Sequence, residues 1–266
     1  MPRNSTLYKL AGTTTFRLAS SQIFKLGTNL QNPSPIVCRI HIPDSGKTLV
    51  QIDQSGAEAL VVAYLCRHGN FRDLFLHGVK SHIYVALHAF KDVWAERFPE
   101  IWNPRFLASP IPKLDTIPNW DKMKKAIASS DHWPSEERYY YIAKMICHAS
   151  NYGIEPFALQ LNILIKSEGT IVLTLKQAKA FLDLYHSLFP EIREWHEEIK
   201  YKLDQHAELR NLFGFPRLFT SYRGTKEDLK EALAYIPQST VGTITNQAIV
   251  IPLTLYYAVG ESICQE

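Results

Sequence analysis

The stretch from Arg138 to Gly153, RYYYIAKMICHASNYG, constrains this chain more than any other. Read as a helix, it places Lys144, His148 and Tyr152 at four-residue intervals. Each such step turns roughly 400°, so the three side chains leave one stripe about 80° wide. A cation, an aromatic donor and a phenol then stand in the order in which a nucleotide offers its phosphates and base. Gly153 is the natural stop, because glycine accepts the left-handed conformation that follows a helix end. The same spacing also fits an ordinary amphipathic helix with a solvated face, and the surrounding chain has to decide between them.

At 266 residues the chain can bury a sizeable core, as one large domain or two. Its 46% hydrophobic and 21% charged residues exclude wholesale disorder. A net charge of +3 is compatible with a polyanionic partner without requiring one, since such partners read a local patch rather than a total. The cysteines, Cys38, Cys66, Cys147 and Cys264, lie far apart, so reduced, buried thiols are expected rather than a disulfide frame or zinc site. The start, MPRNSTLYKLAGTTTF, lacks the apolar core of a secretory signal, and Pro252 interrupts the apolar run near the end. The expectation is a soluble, cytoplasmic protein without a membrane partner.

Along the chain, residues 1–35 read as extended or looped. IVCRIHI (36–42) and TLVQID (48–53) read as strands separated by a Pro-Asp-Ser-Gly turn. Helical spacing runs over 57–76, interrupted at Gly69-Asn70, and again over 81–98. Residues 99–120 carry Pro99, Pro104, Pro110, Pro112 and Pro118, which predicts a surface insertion without regular structure. Helix resumes from Asp121 with a break near Pro134, then from about Thr174 to just before Pro190, then through a long charged amphipathic segment. RNLFGFPRLFTSY reads as a hairpin turning at Gly214-Phe215-Pro216, followed by a helix that contains Pro237.

Asp53 ends the apolar strand TLVQID, where a carboxylate can meet a hard divalent cation, with the Gln54 carbonyl adding a second oxygen. Glu58 falls in the first turn of the next helix, where the helix dipole favours it. A turn aspartate and a helix-start glutamate fit the same two positions.

TLVQIDQSGAEALVVAYL resembles motif A of the family A, DNA polymerase I-like, DNA polymerases, a strand ending in DYSQIELR. Asp53 matches its metal-binding aspartate, Ser55 its serine, and Glu58 the glutamate that excludes a ribose 2′-OH. Arg138–Gly153 resembles motif B, R-x3-K-x3-F-x3-YG: Lys144, Tyr152 and Gly153 match, His148 replaces the aromatic residue, and Tyr140 stands at the arginine position. Arg138 lies six residues before Lys144, about 120° off the stripe, and is the weakest of the nucleotide-contact candidates. TTTFRLASSQIFKLGTNLQN is similar to the family's primer-contact segment, with Arg17, Ser20, Asn29, Gln31 and Asn32 in agreement. KSHIYVALHAF puts His82 at a triphosphate-binding histidine, and AYIPQST puts Gln238 at the glutamine that reads the minor groove.

The resemblance implies an α+β, helix-rich fold: a polymerase palm of antiparallel strands with an inserted helical fingers subdomain. Residues 1–60 would form the first part of the palm, 61–205 the fingers and 206–266 the second part of the palm. It implies template-directed transfer of a dNTP to a primer 3′-OH by a phage-like enzyme, in a bacterial host cytoplasm. Asp53 and Lys144 would be catalytic. Glu58, His82, Lys144, His148, Tyr152 and Arg138 would hold the dNTP, and Arg17, Asn32, Tyr152, Gly153 and Gln238 the DNA primer–template. Two Mg²⁺ ions are expected, with Asp53 and the Gln54 backbone as ligands. The family's second metal carboxylate, in a His-Asp-Glu motif C, has no counterpart after Gln238, where only Glu261 and Glu266 are acidic. The expectation is therefore an incomplete site, with motif C supplied by a downstream or separate segment. A non-catalytic primer–template-binding protein with a polymerase-like fold is the alternative.

Overall fold

The computed structural model describes residues 7–9, 13–17, 19–21, 42, 45–46, 54–134, 137–220 and 222–263. The expected strands at 36–42 and 48–53, with Asp53, and the segment holding Asn29, Gln31 and Asn32 lie outside them, apart from Ile42. The chain divides into two compact units, one of residues 1–57, 210–217 and 235–266, the other of residues 58–209 and 218–234.

The larger unit is helical. α1 (Ala57–Leu65) and α2 (Asn70–Leu76) are separated at Gly69, as the sequence predicts. The helix expected over 81–98 is two, α3 (Ser81–Ala89) and α4 (Lys91–Arg97), because Phe90 leaves the helical conformation between them. α5 (Trp120–Ser129), α6 (Tyr139–Ser150), α7 (Pro156–Lys166), α8 (Leu175–Leu188) and α9 (Pro190–His206) follow. α8 begins at a capping box, in which the Gln177 amide donates to Thr174 Oγ1 and the Thr174 amide to Gln177 Oε1. Pro190 opens α9 at a first-turn position, where its missing N–H costs nothing.

The proline-rich stretch departs from expectation. It is not a bare surface insertion: two 3-10 turns, Pro104–Leu107 and Leu114–Thr116, carry Phe106 and Leu114 into full burial. Prolines rule out long helices there, yet they leave apolar anchors free to enter a core. That core includes Trp94, Tyr84, Tyr185, Phe71, Phe189, Met123 and Ile127. α3 packs along α6, α7 along α8, and α8 against both α6 and α9.

In the smaller unit, β1 (Leu7–Lys9) and β2 (Ala19–Ser21) pair antiparallel, with Tyr8 opposite Ser20. β3 (Glu208–Arg210) and β4 (Pro216–Leu218), which have residues in both units, form the expected hairpin, turning through Gly214 at φ +83°. α10 spans Lys226–Ile263 with Pro237 inside it, and its residues from Tyr235 onward belong to the smaller unit. Within this unit, the Leu212 amide donates to Thr240 Oγ1 (3.3 Å) and Tyr235 Oη to the Phe215 carbonyl (2.8 Å), seating the hairpin tip on α10. Among the described residues, no helix is long and apolar enough to cross a membrane.

Candidate active site

α6 has two faces. Ile142, Ala143, Ile146, Cys147 and Ser150 are buried, the spacing of a helix lying on a core. Lys144 and His148 are exposed on the opposite side, flanked by the half-buried Tyr140 and Tyr152. The sequence-predicted stripe therefore exists, and it is the side of α6 turned away from the apolar core. Cys147, on the inner face, is shut off from solvent, and burial pushes its thiol up to about 12.

At the C-terminal end of this stripe, Tyr152 Oη donates to Glu58 Oε2 over 2.6 Å, joining residues 94 apart in the chain. That is the short range of a hydroxyl bonded to a carboxylate. The His148 ring meets Tyr152 edge-on, centroids 5.5 Å apart at 88°. The turn carrying Tyr152 is fixed from behind. Tyr185 Oη donates to Asn151 Oδ1 (2.5 Å), and His196 Nε2 lies 2.9 Å from the Asn151 carbonyl, which accepts from it. Gly153 then takes φ +67°, and a Cβ there would stand 3.3 Å from Leu233 Cδ1. Both conformation and space favour glycine at this point.

At the other end, His82 Nε2 lies 2.8 Å from Tyr140 Oη, with the rings edge-on at 4.8 Å. Burial, reinforced by the charges of Lys80 and Lys144, holds the His82 imidazole down to about 4. It is thus neutral at physiological pH and can serve as a hydrogen-bond donor but not as a cation. Arg138 turns elsewhere. Its Nε donates to the Asp131 carbonyl (2.9 Å), and its guanidinium lies 4.3 Å over the Tyr141 ring. This agrees with its offset from the stripe.

Of the expected primer-contact residues, Arg17 and Gln238 belong to the smaller unit and Tyr152 and Gly153 to the larger. Gln238, Gly242 and Asn246 recur at four-residue intervals on α10 and so share a face. The Thr13–Arg17 turn lies against that face: Asn246 Nδ2 donates to the Phe16 carbonyl (3.0 Å), and a Cβ on Gly242 would stand 2.7 Å from the Thr15 oxygen. Arg17, exposed, is thereby brought to the stripe that Gln238 begins. Sequence reasoning passed over Gly242 and Asn246. The available signal was a glycine inside a helical pattern, which often marks close backbone approach.

Gln54 and Ser55 are exposed, while Asp53 and Asn32 lie outside the described residues. Among the described residues, no three of His, Cys, Asp or Glu come together as a metal site. Near α6 the carboxylate of Glu58 is already engaged by Tyr152. The described residues do not by themselves fit a divalent ion.

No protein-family model matches this chain, and no curated protein matches it. Among solved structures it is similar to the POL domain of Pol1 from M. smegmatis in complex with DNA primer-template and dNTP, with a TM-score of 0.59 at 17% identity. The match covers 96% of this chain and 38% of that one, so the chain spans well under half of its neighbour's length. At that identity the likeness concerns the fold: this helix-rich chain is folded like part of a DNA polymerase domain.

Proposed function

We propose that this chain carries the nucleotide-binding and primer-contacting part of a family A type DNA-directed DNA polymerase. The observation that carries the reading is the Tyr152–Glu58 hydrogen bond. Two residues singled out by separate motif resemblances meet although they are 94 positions apart. A solvated helix face gives no reason for that meeting.

In this reading each side chain has a task. Lys144, exposed at the middle of the stripe, neutralises charge that develops on the departing pyrophosphate and can return a proton to it. His82 donates to a phosphate oxygen without adding charge. His148 offers its ring to the incoming base, a smaller face than phenylalanine or tyrosine would give. Tyr152, held by Glu58, fixes the carboxylate where a ribose 2′-OH would enter. Arg17 and Gln238 contact the primer–template duplex. Asp53 and the Gln54 carbonyl are the metal ligands the reading requires, and a second carboxylate has to come from another segment.

The test is template-directed incorporation by the chain joined to, or mixed with, a segment bearing that carboxylate. Lys144→Ala should lower incorporation by roughly 10²- to 10³-fold, the usual cost of removing one group aimed at developing charge. Asp53→Ala should abolish it while sparing DNA binding. Incorporation that survives both changes sinks the reading. Salt-dependent primer–template binding without incorporation would leave a binding protein with a polymerase-like fold.

A further inference from the structure

The His82–Tyr140 pair asks for a role of its own. Tyr140 stands on α6 one turn before Lys144, about 6 Å along the axis, where the motif B resemblance puts an arginine. It cannot supply an arginine's charge. Its hydroxyl instead meets a ring nitrogen of His82, on α3, at 2.8 Å. The start of α6 that presents it is fixed by Ser130, whose Oγ accepts from the Tyr140 amide at 3.0 Å and donates to the Ile127 carbonyl at 2.6 Å.

Proton counting makes the pair informative. Burial, with Asp131 adding to it, raises the Tyr140 phenol, so it keeps its proton, and His82 carries one proton on its ring. One hydrogen is spent between Oη and Nε2. If the phenol donates, the imidazole keeps Nδ1–H; if Nε2–H donates, the phenol keeps O–H. Either way one hydrogen-bond donor is left over, on a pair without net charge. Lys80 and Lys144 lie close enough for their charges to act on His82, so the leftover donor sits in a positive field. That combination suits phosphate oxygens: cations attract the group, and an oriented neutral donor fixes it.

We propose that Tyr140 is a positioning residue of a phosphate subsite, holding His82 as a hydrogen-bond donor to the phosphate oxygens of a nucleotide. The proposal rests on the nucleotide-binding reading of α6. It adds that this chain replaces a guanidinium with a phenol–imidazole pair, so that phosphate recognition there is directional rather than Coulombic.

The experiment uses the full chain and inorganic tripolyphosphate, followed by calorimetry, with Tyr140→Phe, His82→Ala and the double variant. Circular dichroism checks that each variant folds. Tyr140→Phe should weaken tripolyphosphate binding roughly 3- to 10-fold, the worth of one hydrogen bond. In the His82→Ala background the same change should cost nothing further, because Tyr140 acts through His82. Nitrogen-15 spectra of the histidines should show His82 as the Nδ1–H tautomer, a preference lost in Tyr140→Phe, and an Nε2–H tautomer in the wild type would make the phenol the leftover donor and overturn the proposal. Equal binding by the wild type and a folded Tyr140→Phe overturns the proposal and leaves the polymerase reading standing. So does an undiminished effect in the His82→Ala background. Tyr140-dependent tripolyphosphate binding without any template-directed incorporation keeps the subsite and overturns the polymerase reading. A wild type that does not bind tripolyphosphate overturns the subsite.

Discussion

Tyr152→Phe deletes one oxygen and leaves the ring against His148, so it isolates the hydrogen bond to Glu58. In the structure that bond is 2.6 Å long and half-buried at both ends. Hydrogen bonds to charged groups contribute about 1.5–3 kcal/mol, and partial solvent access moves this one somewhat below that range. A coupling of about 1 kcal/mol is therefore expected in a cycle of wild type, Tyr152→Phe, Glu58→Gln and the double variant. Each single variant should lower the melting temperature by about 2–4 °C. Urea unfolding at neutral pH, followed by helical circular dichroism, measures the cycle. The double variant should be less destabilised than the sum, since both single changes remove the same hydrogen bond. A coupling below about 0.3 kcal/mol would mean that phenol and carboxylate do not meet in solution, removing the observation on which the functional reading stands. Loss of the bond removes one of the contacts that orient the Glu58 carboxylate, so under the proposed function Tyr152→Phe should relax ribonucleotide discrimination in the same direction as truncating Glu58.

Three other outcomes follow from the structure. His82, His88 and His186 are each held down to about 4 by burial, against about 6.5 unfolded, so the unfolded chain binds more protons between these values. Stability should be full above pH 6.5 and fall as pH drops toward 4, by at most about 3 kcal/mol each for His82 and His88 and by less for the more exposed His186; Glu191, which burial raises, opposes this only in part. Urea midpoints that stay flat from pH 7 to pH 4.5 would contradict it. Gly242→Ala should destabilise the Thr13–Arg17 turn, seen as faster tryptic cleavage after Arg17, because the new Cβ would meet the Thr15 oxygen at 2.7 Å. A free helix would instead gain about 1 kcal/mol from alanine, so stabilisation refutes the close approach. Finally, burial pushes the Cys66 and Cys147 thiols up to about 12, and peptide mapping after iodoacetamide treatment at pH 8 should find both unmodified until urea is added.

The sequence made α6 legible because periodicity reports a face, and a face is what a buried helix must present. It also announced the Gly69 break, the helix start near Thr174 and the Gly214 turn, which are local backbone events with local residue signatures. It misjudged residues 99–120, since proline content speaks of the backbone and says nothing about where Phe106 and Leu114 point. The split at Phe90 was invisible because no breaker residue marks it. Within the site, Tyr140 read as a missing arginine, for its partner His82 lies 58 positions away. Nothing in a linear pattern pairs them. The Asn151 clamp was hidden for the same reason: Tyr185 and His196 come from two later helices.

The polar stripe of α6 divides its labour along its length. At its two ends, Tyr140 and Tyr152 spend their hydroxyls on His82 of α3 and Glu58 of α1. Both are half-buried, and each ties α6 to a neighbouring helix. Lys144 and His148, between them and about 6 Å apart along the axis, are the exposed members. A helix serving only as a solvated surface would have no use for two tyrosines anchored about 18 Å apart on the same stripe. A helix that must hold a cation and a ring at fixed positions does, because side chains orient a ligand only as well as their backbone is held. The inner face supplies the rest of that support, through Ile142, Ile146 and the Tyr185–Asn151–His196 clamp. Rigid ends with an open middle are what the nucleotide reading requires of α6, and they are why weakening Tyr152 or Tyr140 should alter ligand discrimination more than helix content.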